Sequence, residues 1–372
     1  QLSIEVLLDS RPRSMKRVLL ATTALVAVGA FASVGAAQAD EMMEKPVTVG
    51  LSGYAVGAVG ISSNDMIDKY DKGNKSEHPV RGQEVFHVYE FAVSGSTTLD
   101  NGVTVAVHTQ LGSSGDPFDE QHITMSGSFG SLRIGRTESA AFNATVAAPG
   151  AGLGGSFGVN YSWYSPAAPI VNTFSGLVED AAKVIYTSPN FNGLTIGLSY
   201  APDGSDADKA AGRTTDDTSV DDETGDTKGQ LSEHAAVGVS YSTGFMEGGS
   251  LSIGLGYEVA ANEMKGGRDM EAMKVGASVS VDQVSFGGGM YEATPDGGES
   301  SMQYDVGASY TEGPMAVGLQ YGANDDGDTG MAAFHLTYTM GPGVIIGGQI
   351  ASGTADGMED VTQVLLGTSV SF

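Results

Sequence analysis

The residues able to do acid–base, nucleophilic or metal chemistry are thinly and irregularly placed. Six histidines, His78, His87, His108, His122, His234 and His335, are scattered through 372 residues without the short spacings that put two imidazoles on one metal ion. None stands beside a nucleophile motif, so no catalytic residue is assigned. The chain has no cysteine, which removes thiol chemistry and disulfide staples together. Asp203, Asp206 and Asp208, and the stretch from Asn324 to Asp328, loosely resemble cation-binding loops. No fixed repeat backs a calcium-binding solenoid, and that reading stays a weak alternative. No metal centre or resident cofactor is expected.

What remains is charge set inside regularly alternating segments. Glu90, His108, Gln110, His122, Thr124, Arg133 and Lys183 share parity with small polar neighbours, while Arg136, Glu138, Glu179 and Asp180 flank the longest interval without a strand pattern. Segments whose two faces meet different solvents must turn such charges to the wet face, because a charge at a lipid midplane costs about 2 to 4 kcal/mol. These residues are therefore candidates for the lining of a water-filled passage, and Glu90, Glu179 and Asp180 are the groups expected to attract cations, opposed by Arg133, Lys183 and His122.

The elements that would position them are strands. Val103, Val105, Val107 and Leu111 lie on one face with Thr104, His108 and Gln110 on the other, and Leu194, Ile196, Leu198 and Tyr200 stand opposite Thr195, Gly197 and Ser199. Candidate strands begin near Val47, Gln83, Val103, Gln121, Ser131, Ala182, Leu194, Glu233, Ser250, Ala272, Val284, Met302, Met315, Met331, Val344 and Val361, which makes sixteen; fourteen or eighteen also fit the pattern. Short turns such as Asp100–Gly102, Asp282–Gln283 and Gly341–Gly343 alternate with long acidic links such as Ile61–Gly82 and Ala201–Ser232. A soluble sandwich has no reason to keep its short turns at one end, whereas an outer-membrane barrel has short periplasmic turns and long external loops. Aromatic residues cluster near both sets of strand ends. Tyr186, Phe191, Tyr241, Phe245, Tyr310, Tyr338 and Phe372 lie beside short turns, and Tyr200, Tyr257, Tyr291, Tyr304 and Tyr321 beside long ones, as two interface girdles would require. The 54 glycines lie in strands as well as turns, which suits a wall that twists, bends and leaves a lumen open.

Composition and the N-terminal region set the compartment. Lys16 and Arg17 precede an apolar run from Val18 to Phe31, and Ala37-Gln38-Ala39 follows. This is the plan of a secretory signal peptide, and the run is too short for a membrane span of about 20 residues. The expected division is a start-site extension over 1–14, a signal peptide over 15–39 and a barrel over 40–372. Of the 18 basic and 45 acidic residues, four basic and two acidic ones precede Asp40, leaving 14 against 43. Such acidity argues against nucleic acid, whose phosphates demand a basic footprint.

Three segments then give the chain a family likeness. Leu99-Asp100-Asn101-Gly102, the run from Ser128 to Arg136 (SFGSLRIGR), the run from Ile185 to Gly193 (IYTSPNFNG) and a C-terminal Phe372 closing an alternating strand together resemble the Gram-negative general diffusion porins. The resemblance implies an all-β fold, a transmembrane antiparallel β-barrel of sixteen strands with a long loop folded into the lumen. It also implies passive diffusion of small hydrophilic solutes and ions, a homotrimer, an outer membrane with its lipopolysaccharide, and a terminal Phe372 read by the barrel assembly machinery. The lumen loop would be the interval of about 45 residues between Arg136 and Ala182, whose Gly and Ala content suits close packing on an inner wall. The acidic loop tip of well-known general porins is not evident here. A substrate-specific outer-membrane channel is the nearest alternative, and divalent cations are expected only where acidic external loops meet lipopolysaccharide.

Overall fold

The structure, a computed structural model, describes residues 47–63, 83–112, 118–153, 173–204, 231–262, 267–325, 329–355 and 360–372. The expected extension and signal peptide, and the Asp206 to Asp226 part of the acidic link, lie outside those residues. Sixteen strands follow in chain order: β1 Thr48–Ser62, β2 Gln83–Thr98, β3 Thr104–Gly112, β4 Gln121–Gly127, β5 Gly130–Arg136, β6 Ala182–Thr187, β7 Leu194–Asp203, β8 Leu231–Met246, β9 Gly249–Asn262, β10 Met270–Val281, β11 Val284–Pro295, β12 Ser301–Glu312, β13 Met315–Asn324, β14 Thr329–Gly341, β15 Val344–Ala355 and β16 Val361–Ser371. Among the described residues, one four-residue helix, α1 Ala140–Asn143, falls between β5 and β6.

Each strand pairs antiparallel with its sequence neighbour, and β1 closes on β16 from Tyr54↔Ser371 to Ser62↔Gln363. Closure leaves no unpaired sheet edge, the condition for strands to cross hydrocarbon. The seam is finished beyond the last strand residue, where Phe372 N donates to Gly53 O at 3.1 Å and Gly53 N donates to Phe372 O at 3.0 Å.

Parity decides which face meets which solvent. Val49, Leu51, Val59 and Ile61 on β1, Val85 and Val93 on β2, Leu319 on β13 and Leu366 on β16 are exposed apolar side chains. On an ordinary soluble protein so many would be a liability; around a closed barrel they form the lipid-facing band. Tyr304 and Tyr321 remain on that face, their rings 6.5 Å apart. Tyr291 does not. It pairs across from Lys274, turns to the opposite face and is 6% exposed, so its parity corrects its place in the expected girdle.

The turns at one end are short because particular residues permit it. Gly130 has φ +100°, and a Cβ there would stand 2.2 Å from Thr187 O, so only glycine lets β5 leave its turn against β6. Asn192 and Gly193, with φ +52° and +96°, turn β6 into β7.

Candidate functional site

Residues 137–153 leave β5 and run along the barrel face opposite the apolar band. The sequence allows this by matching small residues on both sides. Ser139 caps α1 by accepting from Phe142 N at 3.1 Å, and Ala140 and Ala141 are buried against β7, β8 and β9. The wall beneath is glycine. A Cβ on Gly238 would stand 2.0 Å from Ala140 O, on Gly254 1.9 Å from Ala144 O, and on Gly276 1.8 Å from Val146 O. Gly307 and Gly318 receive Pro149 and Ala151 in the same way, and Leu153 packs with Val56, Ala58 and Leu365 on β1 and β16. The segment thus crosses from β7 around to the β1–β16 seam.

Polar side chains from the wall tie it down. The Ala140 N–H donates to Ser199 Oγ at 3.0 Å. Glu258 Oε1 accepts from the Ser139 hydroxyl at 2.9 Å, its Oε2 accepts from Leu177 N at 2.8 Å, and His234 Nε2 stands 3.4 Å from the same oxygen. Asp305 Oδ1 accepts from Ala148 N at 2.9 Å and Gly289 N at 2.8 Å, and its Oδ2 accepts from the Thr173 hydroxyl. Gln320 Nε2 donates to Ala148 O at 3.0 Å. Lys274 places its ammonium 3.4 Å from Thr145 Oγ1 and 4.9 Å from the centroid of the Phe142 ring. A buried carboxylate is tolerable only when its lone pairs are met, and Glu258 and Asp305 meet them with Ser139 and Ala148 from the segment they hold and with Leu177, Thr173 and the wall residue Gly289. Sequence reasoning singled out neither of them, nor Lys274 or Gln320. The available signal was that each is a lone polar group inside an alternating strand.

The sequence-derived candidates fall into three groups. Glu90, His108, His122, Arg133, Gln110 and Thr124 come together on the inner face of β2 to β5, because Glu90 pairs with Gly112, His108 with His122 and Thr124 with Arg133. Tyr54 donates to Glu90 at 3.4 Å, and Arg133 donates to Thr137 Oγ1 at 3.1 Å. Arg136 and Lys183 behave differently. Lys183 is 2% exposed and donates to the carbonyls of Thr137, Glu179 and Ala181; Arg136 is 8% exposed and donates to those of Asp180 and Phe118. Both cationic side chains are thus buried among carbonyls at the two ends of the β5–β6 connection, with Asp180 near both.

Glu138, Glu179 and Asp180 lie outside the strands in one crowded acidic neighbourhood. Burial, reinforced by Asp180 and Glu179, pushes the Glu138 carboxyl up to about 9. Burial, reinforced by Asp119 and Glu120, pushes Asp180 up to about 7. Burial also raises Glu179, against the pull of the Gly176 N–H and Lys274. At neutral pH Glu138 therefore carries its proton, and Asp180 is poised to gain or lose one. Among the described residues one group of possible metal donors comes together, His108, Glu120 and His122, with donor atoms within 4.8 Å of one another.

A sequence-family model described as Gram-negative porin matches residues 21–357. The comparison with curated proteins finds no match. Among solved structures, an anion-selective porin from Comamonas acidovorans superposes with a TM-score of 0.58 at 17% identity, over 88% of this chain and 100% of that one. A porin refined at 1.8 Å gives 0.57 at 16% identity, over 87% and 100% of the two chains. A triple mutant of the Rhodopseudomonas blastica porin gives 0.56 at 16% identity, with the same coverage. At these identities the likeness is one of fold.

Proposed function

The chain belongs to the Gram-negative porin family, and from that premise we propose that its sixteen-stranded channel is modestly cation-selective, with its narrowest part between residues 137–153 and the inner face of β2 to β5. The protein is an outer-membrane porin, and passive diffusion of small hydrophilic solutes and ions is the activity its barrel serves. The observation that carries the selectivity is an imbalance of available charge. Glu90, Asp119 and Glu120 surround the inner face of β3 to β5, with Glu179 and Asp180 near them, while three of the four nearby strong cations, Arg136, Lys183 and Lys274, are buried. Arg133 alone of the four is half-buried and turned to that face. Charges in a narrow, low-dielectric throat are screened less than charges on outer loops, where the Debye length is about 8 Å at physiological salt.

The family likeness also supports a homotrimer with lipopolysaccharide contacts on its acidic outer loops, and recognition of Phe372 during assembly. The experiment that tests the reading is the zero-current potential of the purified protein in a planar bilayer under a salt gradient. Cation preference that falls when Glu90, Glu179 and Asp180 are neutralised together supports it; anion preference in the unmodified protein overturns it.

A further inference from the structure

We propose that His108, Glu120 and His122 form a binding site for a borderline divalent transition ion of the Zn2+ class on the inner face of β3 and β4. Register makes the site: His108 pairs directly with His122 across the two strands, and Glu120 precedes His122 by two residues and so shares its face. The two imidazoles stack at 4.9 Å between centroids with their planes 17° apart. Glu120 Oε2 stands 3.8 Å from His122 Nε2, and the three donor atoms lie within 4.8 Å of one another. Ligands about 2.0 to 2.2 Å from a tetrahedral zinc ion are about 3.3 Å apart, so small side-chain rotations close the set.

The surroundings already do what outer partners of a metal site do. Ser94 Oγ lies 2.9 Å from His108 Nδ1 and Thr124 Oγ1 lies 3.4 Å from His122 Nδ1. With its Nδ1 engaged by a hydroxyl, His122 can turn the Nε2 lone pair to an ion; His108 Nε2 also lies 3.4 Å from Gln110 Oε1, a contact that an incoming ion would displace with the ring proton. Glu120 is held in the same manner through its other oxygen, whose Oε1 accepts from the Thr137 hydroxyl at 2.8 Å and the Glu138 N–H at 3.4 Å. That leaves Oε2 facing the histidines. All three residues are half-buried, so an ion in the water of the barrel can reach them. Two imidazoles with one carboxylate favour zinc, nickel or copper over magnesium or calcium, which prefer oxygen donors. Arg133 is the opposing charge, one strand away, and Glu90 and Asp119 are the nearby charges of helpful sign.

The site stands whether or not the barrel conducts, and its test is binding. Isothermal titration of ZnCl2 into the detergent-solubilised full protein should give one site per chain that millimolar MgCl2 does not displace. His108→Ala and His122→Ala should each weaken it about tenfold or more, and Ser94→Ala by a smaller factor. Zinc-edge X-ray absorption on the unmodified protein, which needs no variant to fold, should show a mixed nitrogen and oxygen shell with imidazole scattering. An all-oxygen shell, complete displacement by magnesium, or unchanged affinity in both folded histidine variants would overturn the assignment.

Discussion

The hydroxyl of Ser139 donates to the carboxylate of Glu258 at 2.9 Å, joining residues 119 positions apart in the chain. Ser139 also caps α1, so one side chain both starts the helix and meets the wall that holds it. Replacing Glu258 with Ala strands the donors of Ser139 and Leu177 and leaves His234 without its partner, a loss of about 1 to 3 kcal/mol for each buried group left unmet. The barrel ladders do not pass through this carboxylate. Expected outcomes are an unchanged β spectrum by circular dichroism, faster protease cleavage within 139–153, and larger, noisier single-channel conductance.

Gly276 gives the converse test, because a Cβ there would stand 1.8 Å from Val146 O. Valine suits a strand better than glycine does, so Gly276→Val should leave β10 intact while lifting the segment off it. The segment is pushed towards β2 to β5, so conductance should fall, whereas the control Gly57→Val, with nothing within 4 Å of its added Cβ, should leave conductance unchanged.

Selectivity should depend on pH in a direction fixed by Asp180. Its carboxyl, raised to about 7 by burial and by Asp119 and Glu120, ionises as the pH rises and adds negative charge to the throat. Cation preference should therefore grow between about pH 6 and 8, the window a carboxyl raised in this way titrates through. Asp180→Asn should flatten that rise; zero-current potentials recorded across the range decide it.

Charge near the segment should outweigh the larger charge farther out. Nine acidic and three basic residues lie between Pro202 and Ser232. Deleting Asp216 to Asp226 should move the zero-current potential far less than neutralising Glu90, Glu179 and Asp180. The reverse order would place the selective region elsewhere while leaving the barrel as it is.

Phe372 closes the seam with Gly53 through two backbone hydrogen bonds, and its ring lies 5.8 Å from that of Phe91. Deleting it should slow insertion and assembly, read by heat-modifiable migration on gels, without altering the conductance of barrels already inserted.

Much of this architecture is legible in the sequence, and for a local reason. Alternation of apolar and polar residues is a property of neighbours, so strands such as Gln121–Gly127 and Val284–Pro295 start where their patterns start. The segment 137–153 is different, since its partners are glycines on seven other strands and its anchors, Glu258 and Asp305, lie more than 100 residues away. Strand glycines such as Gly238, Gly254 and Gly276, read from sequence as opening a lumen, instead make room for a backbone. His108 and His122 carry no metal-ligand spacing along the chain because strand register, invisible to periodicity, is what brings them together.

The most direct test of the account is planar-bilayer recording of the purified protein across a potassium chloride gradient. Stepwise, ohmic conductance increments with a zero-current potential of the sign that marks cation preference are the predicted result. Folded, bilayer-inserted barrels that give no conductance steps, or steps with anion preference, would contradict it.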